Sequence, residues 1–155
     1  MRLPTDTELR AAARGRDDLH DGQPSQRKLS ANYELIGLVG ERTFSRASGL
    51  QMDLSPRIGG DKGIDFRTRL GTLDVKTARG VIYLAVEEHK VRARLYVLAK
   101  FIEPCEAELV GWAWDSEVLR SPVGLLPRGS IPSHLLPRAM LRPFGALLSA
   151  LAAAA

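Results

Sequence analysis

The chain has 155 residues, of which 45% are hydrophobic and 26% charged, a balance that fits a globular domain with a real core and excludes a disordered polar chain. Its 22 basic and 18 acidic residues give a formal net charge of +4, compatible with nucleic acid as a partner without establishing it. A single cysteine, Cys105, excludes an internal disulfide framework. No basic-flanked apolar segment marks a secretory signal, and the longest apolar run, after Pro143, is too short to span a bilayer. The expectation is a cytoplasmic protein with no membrane segment. The charge is unevenly placed: no acid follows Glu117, while Arg120, Arg128, Arg138 and Arg142 do.

From the N-terminus, Pro4-Thr5-Asp6-Thr7-Glu8 is a helix start, with Thr5 and Glu8 at capping-box spacing. The helix is expected to fade at Gly15, and the polar stretch from Asp17 to Gln26 reads as a linker. Residues 1–28 therefore form an N-terminal helix and linker with little apolar surface to dock. A second helix is predicted from Leu29 to Ala47, with Ser30 as cap and Gly49 as stop. Tyr33, Ile36, Gly37, Gly40, Phe44 and Ala47 recur there at helical spacing. Each interior glycine costs about 1 kcal/mol against alanine, so glycines on the apolar stripe imply close approach to a sheet. Glu41 borders that stripe, and Glu34 lies on roughly the same side. Leu50 to Lys62 reads as loop.

Two strand-like runs follow, Ile64–Leu70 and Thr72–Ala78, with Gly71 as the turn signal. Strand side chains alternate between faces, so Ile64 and Phe66 oppose Asp65, and Leu73 and Val75 oppose Asp74 and Lys76. A loop with an even number of residues sets Asp65 opposite or diagonal to Asp74 and Lys76, on one polar patch. A three-residue loop would split that patch. Like charges this close repel unless something positive lies between them. Lys76 does part of that, and a divalent cation with oxygen ligands does it better. Such an ion polarises a phosphoryl group and acidifies a bound water. A neighbouring lysine orients or deprotonates that water, or stabilises developing charge. The patch suits phosphodiester hydrolysis. Asp61 rivals Asp65 as the first acid, but a loop between glycines holds a carboxylate less well, and Asp65 is preferred.

Val81–Val86 is expected as a strand and Glu87–Ala93 as a charged connection, in which Lys90 and Arg92 are candidates to meet a phosphate backbone. Leu95–Ile102 and Glu108–Trp114 read as further strands, with a short helix starting at Asp115. Trp112 and Trp114 share a face, and core or rim packing is favoured over base stacking. Beyond Arg120, Pro122, Pro127, Pro132, Pro137 and Pro143 forbid a long helix before Arg138–Leu141 or the tail. The last alanines are expected to fray. Residues 29–120 thus read as a core domain and 121–155 as a proline- and arginine-containing extension, with Arg128, Arg138 and Arg142 as candidate phosphate contacts. Scattered histidines and a lone cysteine offer no zinc site, and there is no P-loop or dinucleotide fingerprint.

Gly-Ile-Asp-Phe ending at Phe66, followed by Asp74-Val75-Lys76 and preceded by Gly40-Glu41 on a helix, resembles the PD-(D/E)XK nuclease superfamily from about Ser30 to Trp114. Asp65 matches the first acid, Asp74 and Lys76 the D/E-X-K, and Glu41 the helical acid of many members, with Glu34 in reserve. Ile64 stands where proline often precedes the first acid. The resemblance implies an α/β protein with a central mixed β-sheet flanked by helices, a restriction-endonuclease-like core. It also implies a DNA nuclease using Mg²⁺ or Mn²⁺. Asp65 and Asp74 would hold the metal, Glu41 would complete its shell, Lys76 would act on the attacking water, and Thr77 would lend a hydroxyl. Many double-strand cutters of the superfamily dimerise, which leaves a homodimer open with the hydrophobic C-terminal tail as its seam. A second expectation is a catalytically inactive nucleic-acid-binding or structural module on the same scaffold. Against it, a plain sheet gains nothing from two like charges on one face.

Overall fold

A computed structural model describes residues 1–20, 32–55, 63–127 and 129–153. Asp61, Arg128, Leu29, Ser30 and most of the expected linker lie outside the described residues.

Helix α1 (Asp6–His20) starts at the expected capping box: Glu8 Oε2 accepts the Thr5 N–H at 2.7 Å, and Thr5 Oγ1 accepts the Glu8 N–H at 3.3 Å. It does not fade at Gly15. Leu9 and Ala13 are buried in a core shared with α2 (Tyr33–Ser48), and that packing carries the helix through the glycine. The expectation of a loosely docked helix is corrected accordingly. Helix α2 is described from Tyr33, behind Asn32, and ends at Gly49 (φ 76°), whose N–H bonds Ser45 O. It is buried over most of its circumference, from Leu35 to Ser45, because α1 and the sheet cover different sides.

Among the described residues the strands form two sheets. The larger is mixed, in the order β1-β2-β4-β5, with β1 (Phe66–Thr68), β2 (Gly71–Ala78), β4 (Leu95–Ile102) and β5 (Glu106–Trp114). β1–β2 and β4–β5 are antiparallel, and β2–β4 is parallel. The smaller sheet, β3-β7-β6, is antiparallel, built from β3 (Tyr83–Glu87), β6 (Val123–Gly124) and β7 (Ser133–Pro137). No strand is expected from the proline-rich sequence after Arg120, yet β6 and β7 form there. Pro132 precedes β7 and Pro137 closes it, at the ends where a missing N–H disrupts the ladder least.

Alternation along β4 divides the interior. Leu95, Val97, Ala99 and Phe101 join the core under α1, α2 and α4 (Phe144–Ala153), while Tyr96 and Leu98 join a second core with Leu84, Val86 and Leu136 of the small sheet. Val118 of α3 (Asp115–Arg120) completes the second core. The class is α/β, as expected, but helices cover one face of the mixed sheet and a small sheet with α3 covers the other. Helix α4 buries Leu147 completely and sets Phe144 edge-on to Phe44, centroids 6.0 Å apart. That apolar side docks on the core of the chain itself. Among the described residues no helix is long and apolar enough to cross a membrane.

Candidate active site at the open edge of the hairpin

The β1–β2 loop is two residues, Arg69 and Leu70, and Thr68 faces Gly71 across it. The parity is therefore even. The first strand is shorter than expected, beginning at Phe66, so Asp65 precedes it. Asp65 nevertheless continues the ladder: its N–H bonds Leu73 O at 2.9 Å, and its Oδ2 accepts the Val75 N–H at 2.7 Å, in the place of a strand carbonyl. Residues 75–78 of β2 keep β4 on one side, and toward β1 they open onto a cleft of about 750 Å³. Tyr33, Glu34, Gly37 and Glu41 of α2 line one wall, and Tyr83, Ala85 and Glu87 of β3 line another.

Asp65, Asp74 and Lys76 all line this cleft. Lys76 Nζ lies 2.6 Å from Asp74 Oδ2; the Asp74 side chain is 4% exposed and that of Lys76 36%. Burial is the largest influence on the Lys76 ammonium and acts to lower its pKa. The Asp74 carboxylate, by charge and hydrogen bond, and then Asp65 more than offset it, so the net shift is upward. Lys76 is an ammonium in this arrangement. Asp74 is also paired across the sheet with Tyr96, which is fully buried and whose hydroxyl accepts the Arg92 and Ala93 N–H groups.

Glu41 is buried at 7% exposure and faces Arg16 of α1, Nη1 to Oε1 3.8 Å. Glu34 lines the same cleft. The two glycines of α2 behave differently. A Cβ on Gly40 would come 1.9 Å from Thr77 Oγ1, the close helix–sheet approach that the apolar stripe implies, whereas one on Gly37 would meet none of the described residues within 4 Å. Gly37 faces the cleft instead. Thr77 Oγ1 is buried beneath the helix without a hydrogen-bond partner among the described residues.

Of the residues expected to grip nucleic acid, Lys90 and Arg92 line the cleft, and Lys90 Nζ pairs with Glu87 Oε2 at 3.1 Å. Arg138 is exposed in a short 3₁₀ turn after β7 and does not line the cleft. Arg142 is tied to Glu117 and lies over the Trp112 ring, 5.1 Å from its centroid, beside the strand at the other edge of the sheet. Trp112 is 4% exposed and meets Trp114 edge-on, so these rings pack rather than present faces to a ligand. Arg16, Tyr83 and Glu87 are cleft residues that the motifs do not mark. The helical spacing Leu9, Ala13, Arg16 and the alternation Tyr83, Ala85, Glu87 set the face of its element on which each lies, without marking a cleft.

Among the described residues no three His, Cys, Asp or Glu side chains group closely enough to hold a metal ion. The donor chemistry of Asp65 and Asp74 nonetheless fits a hard divalent cation, since Mg²⁺ is commonly bound by one or two carboxylates with waters and substrate phosphates completing its shell. Glu41, engaged with Arg16, stands on the helical wall of the same cleft. No family model, curated protein or solved structure matches this chain.

Proposed function

We propose that this chain is a metal-dependent deoxyribonuclease with a PD-(D/E)XK-type site on a restriction-endonuclease-like core. One observation carries the reading: Asp65, Asp74 and Lys76 meet in one cleft, at the edge where β2 runs on past β1 with no further strand partner among the described residues. Asp65 and Asp74 would hold Mg²⁺ or Mn²⁺, with Glu41 nearby, and the ion would supply phosphoryl polarisation and an acidified water. The chain's own residues do the remaining work. Asp65 fixes the open edge by accepting the Val75 N–H, which also fixes the direction of its own carboxylate. Asp74 is held by strand pairing on β4 and by Lys76. The Lys76 ammonium has three donors and points into the cleft beside Asp74, where it can orient a water or stabilise charge on a phosphoryl oxygen.

A non-catalytic module on the same scaffold has one observation in its favour: Asp74 and Glu41 already face cations of the chain itself, Lys76 and Arg16. Cleavage of plasmid and oligonucleotide DNA in Mg²⁺, Mn²⁺ and EDTA separates the two. Metal-dependent nicking that disappears in Asp74→Asn supports the enzyme. DNA binding without nicking in either metal supports the module.

A further inference from the structure

We propose that the cleft takes an unpaired stretch of DNA, one base stacking on Tyr83, rather than a duplex gripped by its phosphates. This rests on the nuclease reading above and narrows its substrate. Three observations carry it.

The first is the charge of the cleft. Duplex binding is dominated by cations that neutralise phosphates. Among the described residues the cleft has four cations, Arg16, Lys76, Lys90 and Arg92, against five carboxylates, Glu34, Glu41, Asp65, Asp74 and Glu87. Arg16, Lys76 and Lys90 already face Glu41, Asp74 and Glu87. Before any divalent cation binds, such a lining has little net attraction for either form of DNA, so contact with base faces, which an unpaired strand offers and a duplex does not, has to supply much of the affinity.

The second is the opposite wall. Tyr83, 37% exposed, leads the face of β3 turned away from Leu84 and Val86 of the second core. Ile82 at 71% and Leu126 at 37% exposure extend it as an apolar surface inside the same cleft. An aromatic ring on an apolar wall opposite a hydrolytic patch suits a splayed base, which stacks without regard to sequence. Tyr33, 40% exposed, stands on the helical wall of the same cleft.

The third is Gly37. A glycine inside a helix is unfavourable relative to alanine, and no packing contact among the described residues requires one here, since a Cβ would meet none of them within 4 Å. It lies four residues from both Tyr33 and Glu41, on the cleft face of α2, and leaves space where a side chain would enter. The volume, about 750 Å³, is that of a site for a small-molecule-sized group.

The test is fluorescence anisotropy of the full chain in EDTA, with a labelled single-stranded oligonucleotide and the duplex of the same sequence. The single strand should bind more tightly. Tyr83→Ala should weaken it about 5- to 150-fold, the range of one lost base–aromatic stack, while Tyr83→Phe stays near the parent. Gly37→Phe should weaken it with no fall in Tm, and Gly37→Ala should raise Tm. Duplex binding as tight as single-strand binding, or no loss in Tyr83→Ala, overturns the proposal. Cleavage in Mg²⁺ is measured in parallel. Asp74-dependent cutting that prefers duplex leaves the nuclease standing and overturns only the unpaired-strand reading. Tyr83-dependent single-strand binding without cutting sustains the cleft assignment and removes the nuclease.

Discussion

Two regions of this molecule carry charge out of water, and they do so in different ways. Arg42 is 4% exposed, although its partner Asp6 stands at the surface. Its Nη1 donates to Asp6 Oδ1 at 2.5 Å and its Nη2 to Cys105 O at 2.7 Å, so one guanidinium ties the start of α1 to α2 and to the turn before β5. The Asp6 carboxyl is held below its ordinary pKa, first of all by that hydrogen bond from Arg42. Asp74 and Lys76 form an equally close pair, but on the wall of an open cleft with Asp65 beside them. A buried cation whose acceptors all belong to fixed backbone and side chains holds elements together. A pair on a cleft wall can be reorganised by what enters the cleft. The contrast predicts that the first region governs stability and the second chemistry.

The largest expected effect lies in the cleft. Asp74→Asn removes a carboxylate from the proposed metal site, so Mn²⁺ binding by calorimetry and DNA cleavage should both collapse. Lys76→Ala removes no ligand. Metal affinity should persist or tighten while cleavage falls roughly 10²–10⁴-fold, the usual cost of an acid–base or electrostatic group. If Lys76→Ala cuts DNA like the parent, Lys76 is a plain ion-pair partner of Asp74 and the nuclease reading loses its main support.

Arg42→Ala is the complementary change. It strands the Cys105 carbonyl in the interior and removes a buried side chain, which should cost about 3 kcal/mol and roughly 6–12 °C in Tm. Cleavage per folded molecule should be unchanged. A variant with the parent's Tm and weaker cleavage would erase the distinction between the two regions.

Gly40→Ala probes the joint between them. The added methyl would sit 1.9 Å from Thr77 Oγ1 and 3.0 Å from Thr77 Cβ, so α2 must lift from β2. Overpacking of this kind costs roughly 1–3 kcal/mol, against the modest gain in helix propensity. Because Thr77 follows Lys76, cleavage should fall together with Tm. A stable variant of full activity would mean that the helix sits less tightly on the strand than the geometry implies.

The hairpin was legible in the sequence because a period of two and a glycine at the turn leave few registers. The same rule places Asp65, Asp74 and Lys76 on one patch without knowledge of any other element. The helical Glu41 was legible only as a position beside a packed face; its partner Arg16 depended on a helix that packing, not propensity, carries past Gly15. Of the small sheet only β3 was legible, within the expected strand Val81–Val86. β6 is two residues long, and β7 is bounded by prolines that argue against a strand until a partner, β3, is supplied from elsewhere in the chain. The cleft's apolar wall belongs to that sheet, so its Tyr83 could be read as a strand residue but not as a cleft residue.

The smallest effect is expected where charge never leaves water, and it sharpens the contrast from the other end. Glu8 caps α1 at the surface, accepting the Thr5 N–H and facing Arg2. The backbone hydrogen bond from Thr5, then those from the Arg2 and Thr5 side chains, hold its pKa down at about 2, from an ordinary 4.5. A depressed folded-state pKa means that the ionised carboxylate stabilises the fold above the unfolded value. That contribution is lost as pH falls through the folded one. Gln serves the same capping geometry without the charge. The Tm of Glu8→Gln should therefore lie slightly below the parent's from neutral pH down to about 4.5, and the gap should close as pH approaches 2. The effect should shrink in high salt, as for any exposed pair. A gap that persists at pH 2 would assign it to the capping hydrogen bonds themselves rather than to ionisation. A gap as large as that of Arg42→Ala would mean that exposed and buried charges weigh alike here, against the contrast drawn between the two regions.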